Sequence, residues 1–184
     1  EKLGFGWETI KEKYPKLIYA SASGFGHSGP EMYRPAYDMV VQGMGGIMSV
    51  TGHPGNPPTR IGMSIGDIGS GLYATIGVQA ALYHRQLTGE ATKVDIGMLD
   101  CQIALLENAV MRYQVSGTPP GPLGARHPSI TPFEAYKTED GYIIISAGND
   151  ALFSKLAESL GKKEWPNDPK YITNDLRNQN VEKL

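Results

Sequence analysis

Cysteine is almost absent from this chain, since Cys101 is its only cysteine in 184 residues. A single cysteine excludes an intramolecular disulfide framework. No cluster of cysteine or histidine surrounds it, which argues against a zinc site. We therefore expect a protein of a reducing, intracellular compartment, with the cytoplasm as the default, and we expect no metal cofactor.

An excess of charge of either sign is also missing. The chain has 17 basic and 19 acidic side chains and a net charge of -2, with lysine and arginine scattered among the acids. This pattern argues against a nucleic-acid footprint and against a polybasic membrane patch. The longest uncharged apolar stretch, residues 71–83, is too short to cross a bilayer, and no signal peptide is recognisable. Small ligands are therefore the favoured partners.

The order of the predicted elements indicates an α/β fold. Residues 7–14 predict an amphipathic helix and residues 17–22 a buried strand, and a helix over 36–48 is weakened by a glycine cluster in its second half. A helix over 71–87, with its first turn near Asp67, precedes a strand over 93–97 and a helix over 98–115. Strands alternating with helices are typical of a parallel sheet with crossover helices.

A segment rich in proline and glycine, residues 117–128, predicts a linker between two domains. Residues 1–116 would then be part of a larger domain, and residues 129–184 the beginning of a smaller α+β domain. In the latter, two strands joined by Asp140-Gly141 predict a hairpin. An N-capped helix over 150–160 follows, and another begins near Asn174.

Asp67 stands out because it lies among glycines directly before the long predicted helix. The positive end of the helix dipole and free backbone N–H groups should keep its carboxylate ionised, and the glycines leave room for a substrate. An ordinary helix cap is the alternative interpretation. Asp38 has a capping explanation too, and Tyr37 could be a half-buried aromatic residue.

Other local signals predict little chemistry. Residues 24–29 match the dinucleotide-binding fingerprint, but Pro30 and Pro35 prevent the helix that this motif requires. The four histidines are far apart, and Cys101 has the position of a small core residue rather than a nucleophile. Glycines are concentrated between residues 24 and 71, well above the usual content of about 7%. Such a segment suits either close approach to an extended ligand or tight packing of the chain.

Seven motifs, taken together and in order, resemble the class III CoA-transferases. They are residues 19–30 (YASASGFGHSGP), 35–38 (PAYD), 46–52 (GIMSVTG), 66–67 (GD), 82–85 (LYHR) with 88–89 (TG), 94–100 (VDIGMLD) and 138–142 (TEDGY). The family includes formyl-CoA and carnitine CoA-transferases and α-methylacyl-CoA racemases. The resemblance implies a Rossmann-like large domain with a smaller second domain, and two interlocked chains in the full-length protein.

The resemblance also implies the chemistry. Asp67 falls on the nucleophilic aspartate of the family, which forms an anhydride and then an aspartyl-CoA thioester while CoA passes from an acyl-CoA to a carboxylic acid. Ala36, Tyr37, Asp38 and Met98 match residues that line the CoA site, and Lys2 falls where the family often has a basic residue facing the CoA phosphates. Coenzyme A or its thioester is thus the expected cofactor or substrate, small carboxylic acids are the expected partners, and no metal is implied.

Three alternatives concern specificity and activity. Residues 127–133, 147–149 and 171–177 are most similar to transferases that act on succinate, glutarate or hydroxymethylglutarate, and the glycine-rich substrate loop of formyl-CoA transferase has no counterpart. The racemase branch carries His-Asp in place of Tyr37-Asp38, and a tyrosine is a poor general base near neutral pH. A non-catalytic CoA-binding module is the remaining alternative. The first residue is not methionine and the last predicted helix runs to Leu184, so we expect an internal fragment of a longer protein.

Overall fold

The computed structural model describes residues 2–184. The chain forms two compact units, the first extending to Pro122 and the second covering Leu123–Leu184. The boundary between them falls inside the predicted linker, residues 117–128. The assignment of the units to a large and a small domain stays a prediction.

The first unit alternates helices with two strands, and the predicted α/β class is confirmed. Its elements are α1 (Trp7–Lys13), β1 (Tyr19–Ser23), α2 (Asp38–Met44), α3 (Ile47–Val50), α4 (Ile65–Thr88), β2 (Lys93–Gly97), α5 (Met98–Ala104) and α6 (Asn108–Ser116). The strands are parallel, with Tyr19 opposite Lys93 and Ser23 opposite Gly97. Helices α2 to α4 form the connection between them, as a parallel pair requires.

Two predicted helices are each divided into two. The helix predicted over 36–48 breaks at Gly45 and Gly46, where Gly46 has a φ of 86°. The prediction of a single helix over 98–115 is wrong, because α5 ends at Ala104 and Glu107 has a φ of 53°. The first break has a glycine signal in the sequence, whereas the second has neither glycine nor proline.

Helices α2, α4 and α5 pack on one another, and glycines set how closely they approach. A Cβ atom on Gly66 would lie 2.6 Å from Cγ2 of Val41, and one on Gly69 would lie 2.6 Å from Cδ1 of Leu105. These distances are below any ordinary van der Waals contact. The α2–α4 and α4–α5 interfaces therefore require glycine, which has no side chain, at positions 66 and 69.

The second unit consists of a hairpin and two helices. Strands β3 (Phe133–Lys137) and β4 (Tyr142–Ser146) pair antiparallel, and α7 (Asp150–Ser159), a 3₁₀ turn (Trp165–Asn167) and α8 (Asn174–Gln179) follow. The predicted hairpin is confirmed, but the last helix ends at Gln179 rather than running to the last residue.

A buried arginine joins the parts of this second unit. Arg177 is 1% exposed and donates to the carbonyl oxygens of Thr131 and Tyr171 and to the Asp150 carboxylate, at 2.9, 2.8 and 2.6 Å. Its guanidinium also lies 4.4 Å from the ring centroid of Phe153, a cation–π distance. With its donors engaged inside the unit, Arg177 has a structural role.

Candidate active site

The candidate site lies where the two parallel strands end. Gly24 follows β1, and Met98 is the first residue of α5, directly after β2. The backbone N–H of Leu99 donates to the Gly24 carbonyl at 3.1 Å. A Cβ on Gly24 would lie 2.7 Å from the Cβ of Ala36. The structure thus brings Ala36 and the buried Met98 to Gly24, at the strand ends where α/β sheets bind ligands.

Tyr37 is the N-cap residue of α2 and projects from this region. Its side chain is 86% exposed, so the interpretation as a half-buried aromatic residue is wrong. Residues 24–37 contain no helix, as expected from Pro30 and Pro35. The phenol and ring of Tyr37 are therefore free to contact a ligand.

Asp38 is buried and connects α2 with the beginning of α4. Its Oδ1 atom accepts the backbone N–H of Gly66 at 2.8 Å, and its Oδ2 atom accepts the side-chain N–H of Gln42 at 2.8 Å. The interpretation of Asp38 as a cap of its own helix is therefore wrong. Its carboxylate binds an N–H group at the beginning of α4, one residue before Asp67.

Asp67 is the third residue of α4, and its side chain is exposed. The N-cap position belongs to Ser64, which makes no side-chain cap bond, so the helix-cap interpretation of Asp67 is wrong. Within residues 2–184, no hydrogen bond or ion pair engages the Asp67 carboxylate. The positive end of a 24-residue helix lies beside this unpartnered anion.

The first turn of α4 offers fewer free N–H groups than the sequence suggests. The N–H of Ile65 donates to the Met63 carbonyl at 2.9 Å, and that of Gly66 is taken by Asp38. Of the groups expected beside the carboxylate, the N–H of Asp67 itself lacks an acceptor in the described part of the chain. The immediate surroundings of Asp67 are thus more ordered than a glycine-rich sequence implies.

Lys2 lies in another cleft, one whose lining does not include Asp67, Tyr37 or Asp38. Basic and aromatic side chains meet in this cleft of about 470 Å³: Lys2, Trp7, Tyr19, His27, Tyr33 and Lys93. Two lysines with three aromatic rings suit an anionic ligand that carries a flat ring, and one of the lysines, Lys93, already pairs with Asp95 at 3.7 Å. The structure therefore does not bring Lys2 together with the other predicted site residues.

Sequence reasoning missed two groupings of residues. His27 contacts Asp95 through its backbone N–H, at 2.9 Å from Oδ2, and its Nε2 lies 3.0 Å from the Ser21 hydroxyl oxygen. A separation of 68 positions between His27 and Asp95 left no local signal. Gln42 was missed as well, although it lies four residues after Asp38 and thus on the same helix face.

Cys101 is buried on α5, as predicted for a small core residue. Burial raises the pKa of its thiol, the Asp100 charge raises it further, and a hydrogen bond with Ser70 lowers it in part. Because the thiolate is the nucleophilic form, these conditions make Cys101 a poor nucleophile.

Of the two uses that the sequence left open for the glycines between residues 24 and 71, tight packing is confirmed, and close approach to a ligand stays a prediction. Gly24, Gly45 and Gly66 are in tight packing, since an added Cβ atom would lie within 3 Å of a neighbouring atom. Gly62 and Gly71, which flank Asp67 in the sequence, have no atom within 4 Å of such a Cβ. The nearer glycines, Gly66 and Gly69, are closely packed, so the open space lies at the more distant Gly62 and Gly71.

The described residues contain neither a group of metal ligands nor a helix that could cross a membrane. In residues 2–184, no three His, Cys, Asp or Glu side chains are grouped so as to hold a metal ion. The helices of the same residues include none with the length and apolar character needed to cross a bilayer.

Comparison with known proteins gives consistent matches over the whole chain. The sequence model of CoA-transferase family III matches residues 1–184. Acetyl-CoA:oxalate CoA-transferase from Acetobacter aceti is 40% identical over 185 aligned positions, which cover 100% of this chain and 48% of that protein. Succinate–glutarate CoA-transferase from Agrobacterium fabrum is 43% identical over 176 residues, covering 96% and 44%. The chain therefore spans about half the length of the curated relatives it matches.

Solved structures agree with this result. A CAIB/BAIF family protein from Brucella suis is similar with a TM-score of 0.82 and 42% identity, covering 99% of this chain and 48% of that one. A hypothetical protein from Mycobacterium tuberculosis has a TM-score of 0.85 at 30% identity, with the same coverage. The fold and the sequence thus indicate the same relatives.

Proposed function

Because the chain belongs to CoA-transferase family III, we propose that it carries the nucleophile of a CoA-transferase, and that this nucleophile is Asp67. The observation that supports the proposal most directly is the exposed Asp67 carboxylate at the beginning of α4, which no described side chain pairs. A solvated, unpaired carboxylate beside the positive end of a helix is accessible to a substrate.

The reaction proceeds in four steps that need no oxidant or metal. An Asp67 oxygen attacks the thioester carbonyl of the donor, and the C–S bond breaks to give a mixed anhydride and CoA thiolate. The thiolate attacks the aspartyl carbonyl, which releases the donor acid and forms an aspartyl-CoA thioester. The acceptor carboxylate then repeats these two steps in reverse order, so that a new acyl-CoA forms and Asp67 is regenerated.

CoA would contact two parts of the first unit. Tyr37, Ala36 and Met98 would line the path of the thiol end, because they lie where the two strands end. The Lys2 cleft would receive the phosphates and adenine, since its basic and aromatic side chains match a charged ligand with a flat ring. Asp38 would act indirectly, as both of its oxygens already have protein partners.

The acceptor is proposed to be a small dicarboxylic acid such as succinate or glutarate. A glutarate and an oxalate transferase are relatives at 43% and 40% identity, so identity alone does not separate longer from shorter dicarboxylates. Both names specify two carboxylates on one small acid. We expect the protein to prefer such acids over monocarboxylates of equal length.

A second copy of the chain or further parts of the protein would cover the outer face of α4. Ile68, Leu72 and Ile76 follow one another at four-residue spacing on this face and are 47%, 59% and 60% exposed. Exposed apolar stripes of this kind are typical of interfaces. We propose a homodimer, in an intracellular and by default cytoplasmic location.

The test measures acyl transfer by the protein as the cell makes it. Succinyl-CoA is mixed with glutarate, and mass spectrometry follows glutaryl-CoA and a CoA adduct on the peptide that contains Asp67. We expect Asp67→Ala to lower transfer by at least ~10³-fold and to remove the adduct. Glu90→Ala, which removes an exposed carboxylate just beyond the other end of α4, is the control.

Three outcomes separate the alternatives. Transfer that persists in Asp67→Ala would overturn the catalytic assignment. CoA binding without transfer from any donor tried would support a binding module instead. Exchange of the α-hydrogen of a 2-methylacyl-CoA with solvent deuterium, without transfer, would identify a racemase.

A further inference from the structure

Gln42 has a set of contacts that the transfer reaction does not by itself explain. The residue lies on α2 and is 0% exposed. Its side-chain oxygen accepts the backbone N–H of Ile61 at 2.8 Å, and its side-chain nitrogen donates to Asp38 Oδ2 at 2.8 Å and to the Met63 carbonyl at 3.3 Å. One buried amide thus holds two backbone positions of the segment that leads into α4.

These contacts act on residues 51–64, a segment without regular secondary structure. No backbone ladder of a helix or strand therefore fixes its position. Ile61 and Met63 lie six and four residues before Asp67, and Gly66, held by Asp38, lies one residue before it. A buried group that satisfies backbone atoms of a loop fixes that loop far better than solvent contacts do.

We propose that Gln42, acting together with Asp38, is a positioning residue that fixes Asp67 in its reactive position. The proposal rests on the proposed function of Asp67 and adds to it the part of the fold that sets the nucleophile. Gln42 touches neither substrate nor reacting atoms. It acts through the segment 61–66, whose backbone determines where α4 begins and hence where the Asp67 carboxylate lies.

Positioning of this kind affects the rate of the chemical step more than binding. Displacement of a reacting group by about 1 Å can cost ~10²-fold in rate. The Lys2 cleft and the strand ends, where CoA would bind, do not include Gln42. Loss of the amide should therefore lower kcat and leave the KM for acyl-CoA nearly unchanged.

The chain offers a matched control. Gln102 on α5 is also a glutamine at 0% exposure, but neither its Nε2 nor its Oε1 has a hydrogen-bond partner in the described residues. Its replacement by methionine changes a buried glutamine in the same three-helix core without removing any contact to the segment 61–66. Gln42→Met and Gln102→Met therefore separate the positioning effect from a general effect on the core.

The experiment compares both variants in the protein as the cell makes it, with rates expressed per folded molecule. We expect Gln42→Met to lower kcat by ~10²-fold, with a change in KM of less than about threefold. Gln102→Met should change kcat by less than about threefold. A wild-type kcat in folded Gln42→Met, or an equal loss of kcat in both variants, would overturn the proposal.

A measurement on the unmodified protein does not depend on how the variants fold. Hydrogen exchange is followed at the amides of Ile61 and Gly66, with the amide of Gly62 as the reference because it has no acceptor in the described residues. We expect the first two to exchange at least ~10²-fold more slowly than Gly62. Equal rates at all three amides would contradict the proposal that Gln42 and Asp38 fix Ile61 and Gly66 in place.

This measurement also keeps the two proposals distinguishable. Transfer that persists in Asp67→Ala would reject the catalytic role of Asp67. Hydrogen exchange at Ile61 and Gly66 instead reports on the bonds from Gln42 and Asp38, and it does not require an active protein. The kinetic comparison is then interpreted only with a protein in which Asp67 is shown to be acylated.

Discussion

Gln42 and Gln102 are the same residue type at the same exposure, yet their amides have opposite surroundings. Gln42 makes three hydrogen bonds to the polar atoms around it, and Gln102 makes none within residues 2–184. Burial alone therefore does not indicate what a polar side chain does. The role of a buried amide depends on whether the neighbouring backbone N–H and C=O groups lack hydrogen-bond partners of their own.

The difference follows from the backbone that each glutamine faces. Gln42 faces the irregular segment before α4, whose N–H and C=O groups have no ladder to satisfy them. Gln102 packs against Gly45 at the end of α2, and its Cβ would lie 2.7 Å from a Cβ added there. The N–H of Gly45 already donates to the Val41 carbonyl at 2.8 Å, so this backbone group needs no partner from the Gln102 amide. The region with the paired amide is also the region that holds Asp67.

The largest change in the free energy of unfolding is expected from a methyl group added at Gly66, where α2 and α4 meet beside Asp38. In Gly66→Ala the new Cβ would lie 2.6 Å from Val41 and 3.0 Å from Asp38 Oδ1, so α4 must move away from α2. We expect the free energy of unfolding to fall by about 3 kcal/mol. Chemical denaturation followed by circular dichroism measures this change.

Gly71→Ala is the control for that prediction, because it lies on the same helix with no atom within 4 Å of the added Cβ. Alanine is the better helix former, so this variant should gain about 0.5–1 kcal/mol. If both variants lose similar stability, the close α2–α4 contact does not exist in solution.

The two glutamines should respond to methionine with opposite signs in stability. Gln42→Met leaves the Ile61 N–H and the Asp38 Oδ2 atom without the amide that pairs with them, which should cost about 2 kcal/mol. Gln102→Met removes an unpaired amide and should raise the free energy of unfolding by about 1 kcal/mol. Denaturation midpoints of the two variants measure the difference. A loss of stability in Gln102→Met would mean that its amide is paired in the native protein.

Asp38→Asn tests the same network with a smaller change. If the asparagine oxygen accepts the Gly66 N–H, its NH₂ group faces the NH₂ group of Gln42, and two donors then meet. We expect a loss of about 1–2 kcal/mol and a lower kcat. The exposed Asp175→Asn should change stability by no more than about 0.5 kcal/mol. Equal effects of the two substitutions would show that Asp38 is not part of a buried network.

The elements that could be predicted were those with a local signal. Apolar segments sufficed for the strands and the long helix, the Asp140-Gly141 turn for the hairpin, and the family motifs led to Asp67. The break after Ala104 could not be predicted, because Glu107 adopts a positive φ without a glycine or asparagine to indicate it. Leu105, the first residue after the helix, lies close to Gly69 on α4, a contact between distant residues that no local pattern indicates.

The candidate site was predicted as residues but not as an arrangement. Asp67, Tyr37 and Asp38 were named in advance, yet the sequence assigned Asp38 to its own helix and left Gln42 unmentioned. The bond from Gly66 to Asp38 spans 28 positions, and that from Ile61 to Gln42 spans 19. Pairings over such distances depend on how α2 and α4 pack, which no local pattern encodes.

The smallest effect on stability is expected at Cys101, which precedes the unpaired Gln102 on α5. Because burial raises the pKa of its thiol above the ordinary 9.0, the folded protein holds the thiol proton more tightly than the unfolded chain does. The resulting stability is fully present below the unfolded pKa and is lost as the pH rises through the higher folded pKa. Cys101→Ala should therefore lose less stability than the unsubstituted protein between pH 8 and pH 10, measured by denaturation at each pH. Identical pH slopes, or alkylation of the native thiol as fast as that of the unfolded chain, would show that Cys101 is accessible and that α5 is packed less closely than Gln102 implies.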